Sequence, residues 1–575
     1  MKKYVKYISV FLSLSIGFAA CSEEEVKQNY NALDPEPDTN ITYESSWGES
    51  EDPYEDACKH YTGMMTVVRA VVGGSNAYVS EAMTDLFNLR AGALTLDKEH
   101  RWTFTTNQFA GDIIWANNFS LVMQANDFIA NIDPFINEEK SKEEAATAAE
   151  KAAEEAGDAE EKDTQTKLKM KYQERKERLM HYKGVAYFAR AYAYCNMIVR
   201  YCKDYEPETA ADELGLPIVT TVDKDARPAR ASLQETVAFI LSDFANAEAN
   251  MQAFAAYDNN DNLYHPGTDA LDALEMRFAL YTHDFDKAIE KADGIIANHA
   301  LASSEQEMEQ LWVFDTGNEI IFEPAQTPEE HANSYLGMYI SYDIREIDGS
   351  PDIYGYSPEL VPTQGVVDLY EPGDLRIKAY FSNPYLGEAA GVTKLSNSSS
   401  DEPAHSAYLL FKYPGNQKLF KNDWDWYSSP YNMSKAFRSA EAYLTAAEAY
   451  LRKPNPDEAK ARKYLNDLRL ARGTFDWDDT TTGEELVKEM ENEWVREYLG
   501  EGFRLDCLKR WHKGFKRMEA QNMDGLKLLL GQDREDKSDV DGYKYLEIKP
   551  DNFRFVWEIP MQDLQSNPNL KRNWQ

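Results

Sequence analysis

Amphipathic helical segments that arrive in pairs across very short turns are the feature that most limits how this chain folds. From residue 182 to residue 205, Val185, Phe188, Ala189, Tyr192, Cys195, Val199 and Cys202 recur three or four apart and draw one apolar stripe down a helix. The same periodicity predicts helices over 233–251, 270–282, 285–298, 436–452, 456–472 and 484–499. Only a few residues around His283 and Asp284 separate one pair. Lys453 to Asn455 separate another, with Asn455 as N-cap, Pro456 as the first helical residue and Glu458 completing a capping box. A helix with one apolar stripe must bury it, and a short turn makes the next helix the nearest partner. Repetition of that unit predicts a mostly α fold, a solenoid of tetratricopeptide-like pairs, although the strict 34-residue repeat motif is absent. At 575 residues the chain also exceeds the roughly 250 to 300 at which one core stops growing, which fits two lobes or a repeat array.

Two stretches have a different texture. Residues 73–111 and 299–435 are rich in Gly, Pro, Ser, Asn and aromatics, with only brief strand-like runs at 319–323 and 407–412. Loops this long in a globular body are usually functional or disordered. The expected organisation is therefore a body over 48–575, with a helical framework at 48–72, 112–298 and 436–575 and an irregular, loop-rich lobe at 73–111 and 299–435. Residues 137–178 are almost entirely Glu, Lys, Ala, Gln and Asp, with high helix propensity and no apolar stripe. They read as a solvated helical arm inserted into the framework.

The N-terminus addresses location. Lys2, Lys3 and Lys6 precede an apolar run over 8–20, and the small residues Ala19 and Ala20 stand directly before Cys21. That run is well short of the roughly 20 residues needed to span a bilayer. The layout resembles a bacterial lipoprotein signal: residues 1–20 are removed, the Cys21 thiol is acylated, and buried acyl chains at about 0.8 kcal/mol per methylene anchor the protein. Residues 21–47, polar and carrying Pro35 and Pro37, read as a lipidated flexible tether. Glu23, Glu24 and Glu25 resemble a surface-export signal of lipoproteins in the Bacteroidetes, which implies a body facing the extracellular side of the outer membrane. A formal charge of -38 repels nucleic-acid phosphates and anionic headgroups, so the only membrane contact expected is the anchor.

No cofactor, metal or catalytic machinery is expected. The chain lacks GxxxxGK[ST], HExxH, GxSxG and a glycine-rich dinucleotide turn, and its nine His residues are scattered. Asp258, Asn260 and Asn262 imitate the start of a calcium loop, but Leu263 stands where the loop requires Gly. Cys58, Cys195, Cys202 and Cys507 show no metal-like spacing and read as core thiols. A neutral ligand fits better, and one with apolar faces needs aromatic platforms beside polar groups. The candidates are Trp102 with Arg101 in the first irregular stretch, and Tyr354, Tyr356, Trp424, Trp426 and Tyr427 in the second. Tyr335, Tyr339 and Tyr342 have helical spacing and read as packed.

Four motifs resemble the SusD/RagB family. The first is Gly184, Ala186, Phe188, Arg190, Ala191 and Tyr194, followed by Gly215, Leu216, Pro217 and Ile218. The second is Arg438, Ala440, Glu441, Leu444, Ala447, Glu448 and Ala449, with Asn466, Arg469 and Arg472. The third runs through Glu493, Arg496, Glu497, Glu501, Gly502, Arg504, Asp506, Arg510 and Trp511; the fourth is Ile559, Pro560, Asn567, Pro568, Leu570 and Asn573. They occur in the family's order from about residue 180 to the end. His283, where the family usually has Gly, and the charged insertion are departures. The resemblance implies a surface nutrient-binding lipoprotein that captures oligosaccharide, or in some members peptide, and delivers it to a SusC-like TonB-dependent transporter. A surface glycosidase and a purely structural scaffold are rivals. Physically, Arg438, Glu441, Glu448, Arg496, Glu497, Arg504 and Asp506 are expected to form inter-helix ion pairs and caps, because buried charges need partners.

Overall fold

The computed structural model describes residues 47–574, apart from 49, 90–95, 224, 252–262, 330–337, 348–349, 392, 396–404, 422–426, 428–430, 518–519 and 522–546. Helix α1 (Pro53–Val71) starts where sequence chemistry says it should: Asp52 caps it by accepting the Tyr54 N–H, and Pro53 supplies the first turn. It is followed by α2 (Ser75–Ala82), α3 (Asp112–Asn131), α4 (Asp133–Ala156), α5 (Ala159–Tyr201) and α6 (Leu233–Met251). The paired helices come next: α7 (Thr268–Tyr281) with α8 (Phe285–Asn298), and, after the short α9 (Glu305–Trp312) and α10 (Leu375–Phe381), α11 (Ala440–Arg452) with α12 (Glu458–Ala471). Helices α13 (Gly483–Tyr498) and α14 (Phe503–Arg510) follow. The fold is mostly helical.

The pairs pack closely because their facing positions are small. Ala279, Ala288, Ala440 and Ala447 are buried together with Leu444, Leu465, Leu468 and Met490 in one cluster shared by α7, α8, α11, α12 and α13. The turn between α7 and α8 passes through His283 at φ +62°, a left-handed conformation that a side chain disfavours. Glycine would enter it without steric cost. At the second pair the cap differs from the sequence expectation. The helix starts later, at Glu458, and Asp457 caps it through the Lys460 N–H. Asn455 and Pro456 lie in the turn, and Glu458 accepts from the Gly483 N–H at the start of α13.

The charged segment is the outer part of a helical hairpin. Helices α4 and α5 run 24 and 43 residues and meet at Gly157, φ +73°, with Asp158 capping α5. Ala146 and Ala153, seven residues apart, are buried along the seam, so the segment does own a narrow apolar line of alanines. At its base Arg175 lies 4.2 Å from the centre of the Tyr54 ring and bonds Asp52 at 3.0 Å. Helix α5 then runs on into the core, where Val185, Phe188, Ala189, Tyr194 and Ile198 are fully enclosed.

Strands are few and short, but they join distant parts of the chain. β1 (Phe87–Leu89) pairs antiparallel with β7 (Leu360–Pro362), which stitches the two irregular stretches to each other. β2 (Leu214–Pro217) pairs with β3 (Arg230–Ser232), and β4 (Ile320–Phe322) pairs with β10 (Phe437–Arg438), closing the base of the second stretch. β5 (Tyr342–Ile347), β6 (Ser350–Tyr356), β8 (Thr393–Leu395) and β9 (His405–Ala407) form a four-stranded sheet in that order. Tyr342 therefore opens a strand, and its helical spacing with Tyr339 is incidental; Tyr335 lies outside the described residues. Cys58, Cys195, Cys202 and Cys507 are buried free thiols.

Candidate functional site

Where framework meets lobe, the β4–β10 pair brings Glu319 beside Arg438, and a buried network of opposite charges grows from there. Arg472 Nη2 contacts Glu319 at 2.8 Å and Glu497 at 2.7 Å. Arg438 bonds Glu319 at 2.9 Å, Glu501 at 2.7 Å and also Glu497. Arg376 completes the set with Asp374 at 2.8 Å, Glu493 at 2.7 Å and Glu497 at 3.0 Å. Burial alone would raise the Glu493 carboxyl, but Arg376, Arg496 and Arg469 around it hold it down to about 2. Glu497 is likewise held well below the usual carboxylate range, by Arg472, Arg438 and Arg376 against the effect of burial. Every acid here is saturated by guanidinium groups, so the network has neither a free base nor a free acid to offer a substrate.

The remaining framework charges make similar joints. Arg496 Nε bonds Glu493 at 2.7 Å, and Glu441 receives two bonds from Arg277, at 2.6 and 2.7 Å. Glu448 collects Arg510 at 2.8 Å, Arg452 at 3.0 Å and the Trp511 indole at 2.9 Å; these outweigh burial and hold its carboxyl down to about 2. Arg504 reaches Asp85 at 2.8 Å, tying α14 to the first irregular stretch, while Asp506 faces Arg200 at 3.8 Å.

The aromatic candidates divide sharply. Trp102 is 4% exposed: its indole N–H bonds the Met83 carbonyl at 2.7 Å and its ring meets Phe515 and Phe555 edge-on. A sugar-stacking platform needs a bare ring face, and Trp102 has none, so its assignment as a platform is corrected to a core anchor. Its neighbour Arg101 is half-buried on Asp97 at 3.1 Å. Tyr356 is corrected likewise. It is 2% exposed, packs against Tyr342 and Phe411, and hydrogen-bonds Glu388 and Asn383 at 2.7 and 3.0 Å. Tyr354 lies in β6. Trp424 and Trp426 fall outside the described residues, as do Cys21, the tether up to residue 46 and the Asp258–Asn262 loop; Trp47, given to the tether by sequence, is instead docked on the body, its indole N–H on Asp127 at 2.9 Å. Tyr427 is half-buried against the core.

Beside these positions the structure adds rings that sequence reasoning missed. Tyr385 and Phe420, both half-buried, lie 6.0 Å apart at 51° next to the exposed Leu386. Asn383 fixes this loop by accepting the Tyr385 and Leu386 N–H groups at 2.9 and 3.3 Å, and donating to Tyr356. The signal was Asn383-Pro384-Tyr385, an aromatic directly after a turn-forming pair in the irregular stretch. Among the described residues no group of three or more His, Cys, Asp or Glu is placed to hold a metal ion, and no helix is long and apolar enough to cross a membrane. A separate cavity of about 130 Å³ lies where the framework helices α5, α7 and α14 meet α2 and the lobe residues Trp312, Tyr413 and Lys435.

Residues 319–575 match the SusD family, and residues 165–280 match a second family described as starch-binding, associating with outer membrane. No curated protein matches the chain. Among solved structures, a SusD superfamily protein from Bacteroides thetaiotaomicron VPI-5482 superposes with a TM-score of 0.64 at 19% identity, covering 91% of this chain and 100% of that one. A laminarin-binding SusD-like protein gives 0.60 at 16% identity, with 90% and 98% covered. The surface glycan-binding protein A from Bacteroides fluxus gives 0.56 at 17%, with 89% and 98% covered. At these identities the superpositions speak for the fold.

Proposed function

The chain belongs to the SusD family, and from that premise we propose that it is a surface lipoprotein that captures an extracellular oligosaccharide without altering it. The observation that carries this reading is the pair of family matches, which together take in most of the body from residue 165 onward. Acylated at Cys21, it sits on the outer membrane facing outward and passes its ligand to a SusC-like TonB-dependent transporter. The glycan lies on the irregular lobe, across Tyr385 and Phe420 and the neighbouring segment that carries Trp424, Trp426 and Tyr427, with Tyr354 on the adjoining sheet. Half-exposed rings give apolar faces to pyranose rings. A strongly acidic surface favours an uncharged ligand over an anionic one.

Calorimetric titration of the protein against plant, host and microbial glycans, with a peptide panel alongside, tests the reading. Trp424→Ala with Trp426→Ala is expected to weaken glycan binding by about thirtyfold, the cost of losing an anchoring ring of about 2 kcal/mol. Wild-type affinity in that variant removes the site assignment. Binding of peptides and no glycan replaces the ligand class, and turnover of a glycan makes the protein an enzyme. Release of Cys21→Ala from the membrane fraction checks the anchor.

A further inference from the structure

The cavity between framework and lobe is a second candidate site, different in chemistry from the proposed glycan surface. Most of its charged lining groups are already engaged, while Asp204 and Asp506 are held more loosely, at 3.5 to 4.0 Å from His512, Lys509 and Arg200. Arg277 grips Glu441 and Arg510 grips Glu448, each through two bonds of 2.6 to 2.9 Å. Lys435 rests on Asp315 and Glu323, and Glu501 is held by Arg438 and Lys412 at 2.7 and 2.6 Å. A guest that competed for one of these buried pairs would have to break it, which is costly.

Some lining side chains carry buried atoms without a hydrogen-bond partner. Asn76 is 6% exposed, and neither its amide nitrogen nor its amide oxygen has a protein partner. The indole N–H of Trp494, a residue 4% exposed, is in the same position, as is Nε of Arg200. A buried amide left unsatisfied costs about 1 to 3 kcal/mol, so a donor and an acceptor offered together at one wall mark a place for a hydroxyl. The apolar part of the wall is ring and alkyl surface, including Tyr192, Phe278, Tyr281 and Phe503.

We propose that this cavity binds a small uncharged ring compound carrying one hydroxyl, of which phenol is the simplest. The ring lies among the aromatic side chains and the hydroxyl exchanges two hydrogen bonds with Asn76. An engineered apolar cavity of about 150 Å³ accepts benzene, so about 130 Å³ suits one six-membered ring and is too small for a disaccharide. The site is independent of the proposed glycan surface.

The test is calorimetric titration of the full-length protein with phenol, benzene, benzoate and benzylamine, together with a crystal structure grown in phenol. Expected are saturable binding of phenol, weaker binding of benzene, no binding of the two charged rings, and a phenol ring beside Asn76 in the density. Asn76→Leu is expected to weaken phenol about tenfold, equivalent to about 1.4 kcal/mol, while leaving benzene and oligosaccharide binding unchanged. Absence of saturable phenol binding, density for water alone in the cavity, or equal affinity in Asn76→Leu overturns the proposal. Should the variant fail to fold, the wild-type titrations and the crystal density decide the matter alone.

Discussion

The hairpin arm and the hub around Glu497 are made of the same residue types, Arg and Lys against Glu and Asp, and they work in opposite ways. On the arm Lys162–Glu154 and Lys167–Asp163 are pairs with both side chains largely in water. Such pairs contribute about 0 to 1 kcal/mol each, because water screens them and the long side chains lose freedom. In the hub Arg376, Arg472, Glu493 and Glu497 have no exposed side-chain surface. There each charge is tolerable only because every neighbour is present, so the network specifies how framework and lobe sit together more than it adds stability. Identical chemistry yields a solvated face in one place and an obligatory joint in the other, and burial alone makes the difference.

Breaking the hub is the most severe test of that contrast. Arg472→Ala leaves Glu319 and Glu497 short of a partner and is expected to cost about 3 to 5 kcal/mol in chemical denaturation. A loss below about 1 kcal/mol would place the hub with the arm. The hub and the Glu448 cluster also set an acid limit. Glu493 and Glu448 have folded values of about 2 against 4.5 when unfolded. Depressed values favour the ionised folded state, so their contribution is complete above pH 4.5 and disappears as the pH falls toward 2. Stability should drop steeply across that window, and denaturation curves at successive pH values will show whether it does.

Arg504→Ala tests a joint of intermediate burial. It removes the one guanidinium that bonds Asp85, a residue 5% exposed, and is expected to cost about 2 kcal/mol, with Arg504→Lys recovering part of the loss. Glu81 supplies the opposite sign. Burial pushes its carboxyl up to about 8, with Asp85 adding to the shift, while the Gly502 N–H, Lys412 and Arg504 oppose it. A raised acid favours the protonated folded state, so its contribution is present below pH 4.5 and is lost as the pH rises through 8. Glu81→Gln keeps an acceptor for Gly502 and should stabilise the protein by about 1 to 2 kcal/mol at pH 8 while changing little at pH 4.5. A gain of equal size at both pH values would refute the protonation argument.

The smallest effect belongs to the arm. Replacing residues 147–172 with a short linker keeps Arg175, Arg178 and the Lys176–Glu143 pair, which dock the hairpin base at 2.6 Å. The main thermal transition should move by no more than about 2 °C. A fall beyond about 5 °C would mean that the seam through Ala153 matters to the body.

Helix placement was legible because it depends on local spacing. α6 and α8 match their predicted limits, 233–251 and 285–298, and α12 starts two residues late only because Asp457 and Asn455 are both competent caps and sequence alone does not rank them. Lobe aromatics were less legible. Trp102, with Arg101 and Thr103 beside it, has the neighbours of a binding residue, yet its environment comes from Met83, Phe515 and Phe555, the last two more than 400 residues away. Tyr385 sits in a plain loop sequence and is presented by Asn383, whose own anchor is Tyr356.

By itself the sequence determined the helices, their pairing across short turns and the presence of charges that needed partners, because periodicity, caps and turn length act within a few residues. Tertiary structure alone decided which charge met which. It set Arg438 against Glu319 through the β4–β10 pair, and Arg504 against Asp85 across more than 400 residues. It also decided which rings were enclosed, since burial is a property of the assembled surface and no single segment contains it.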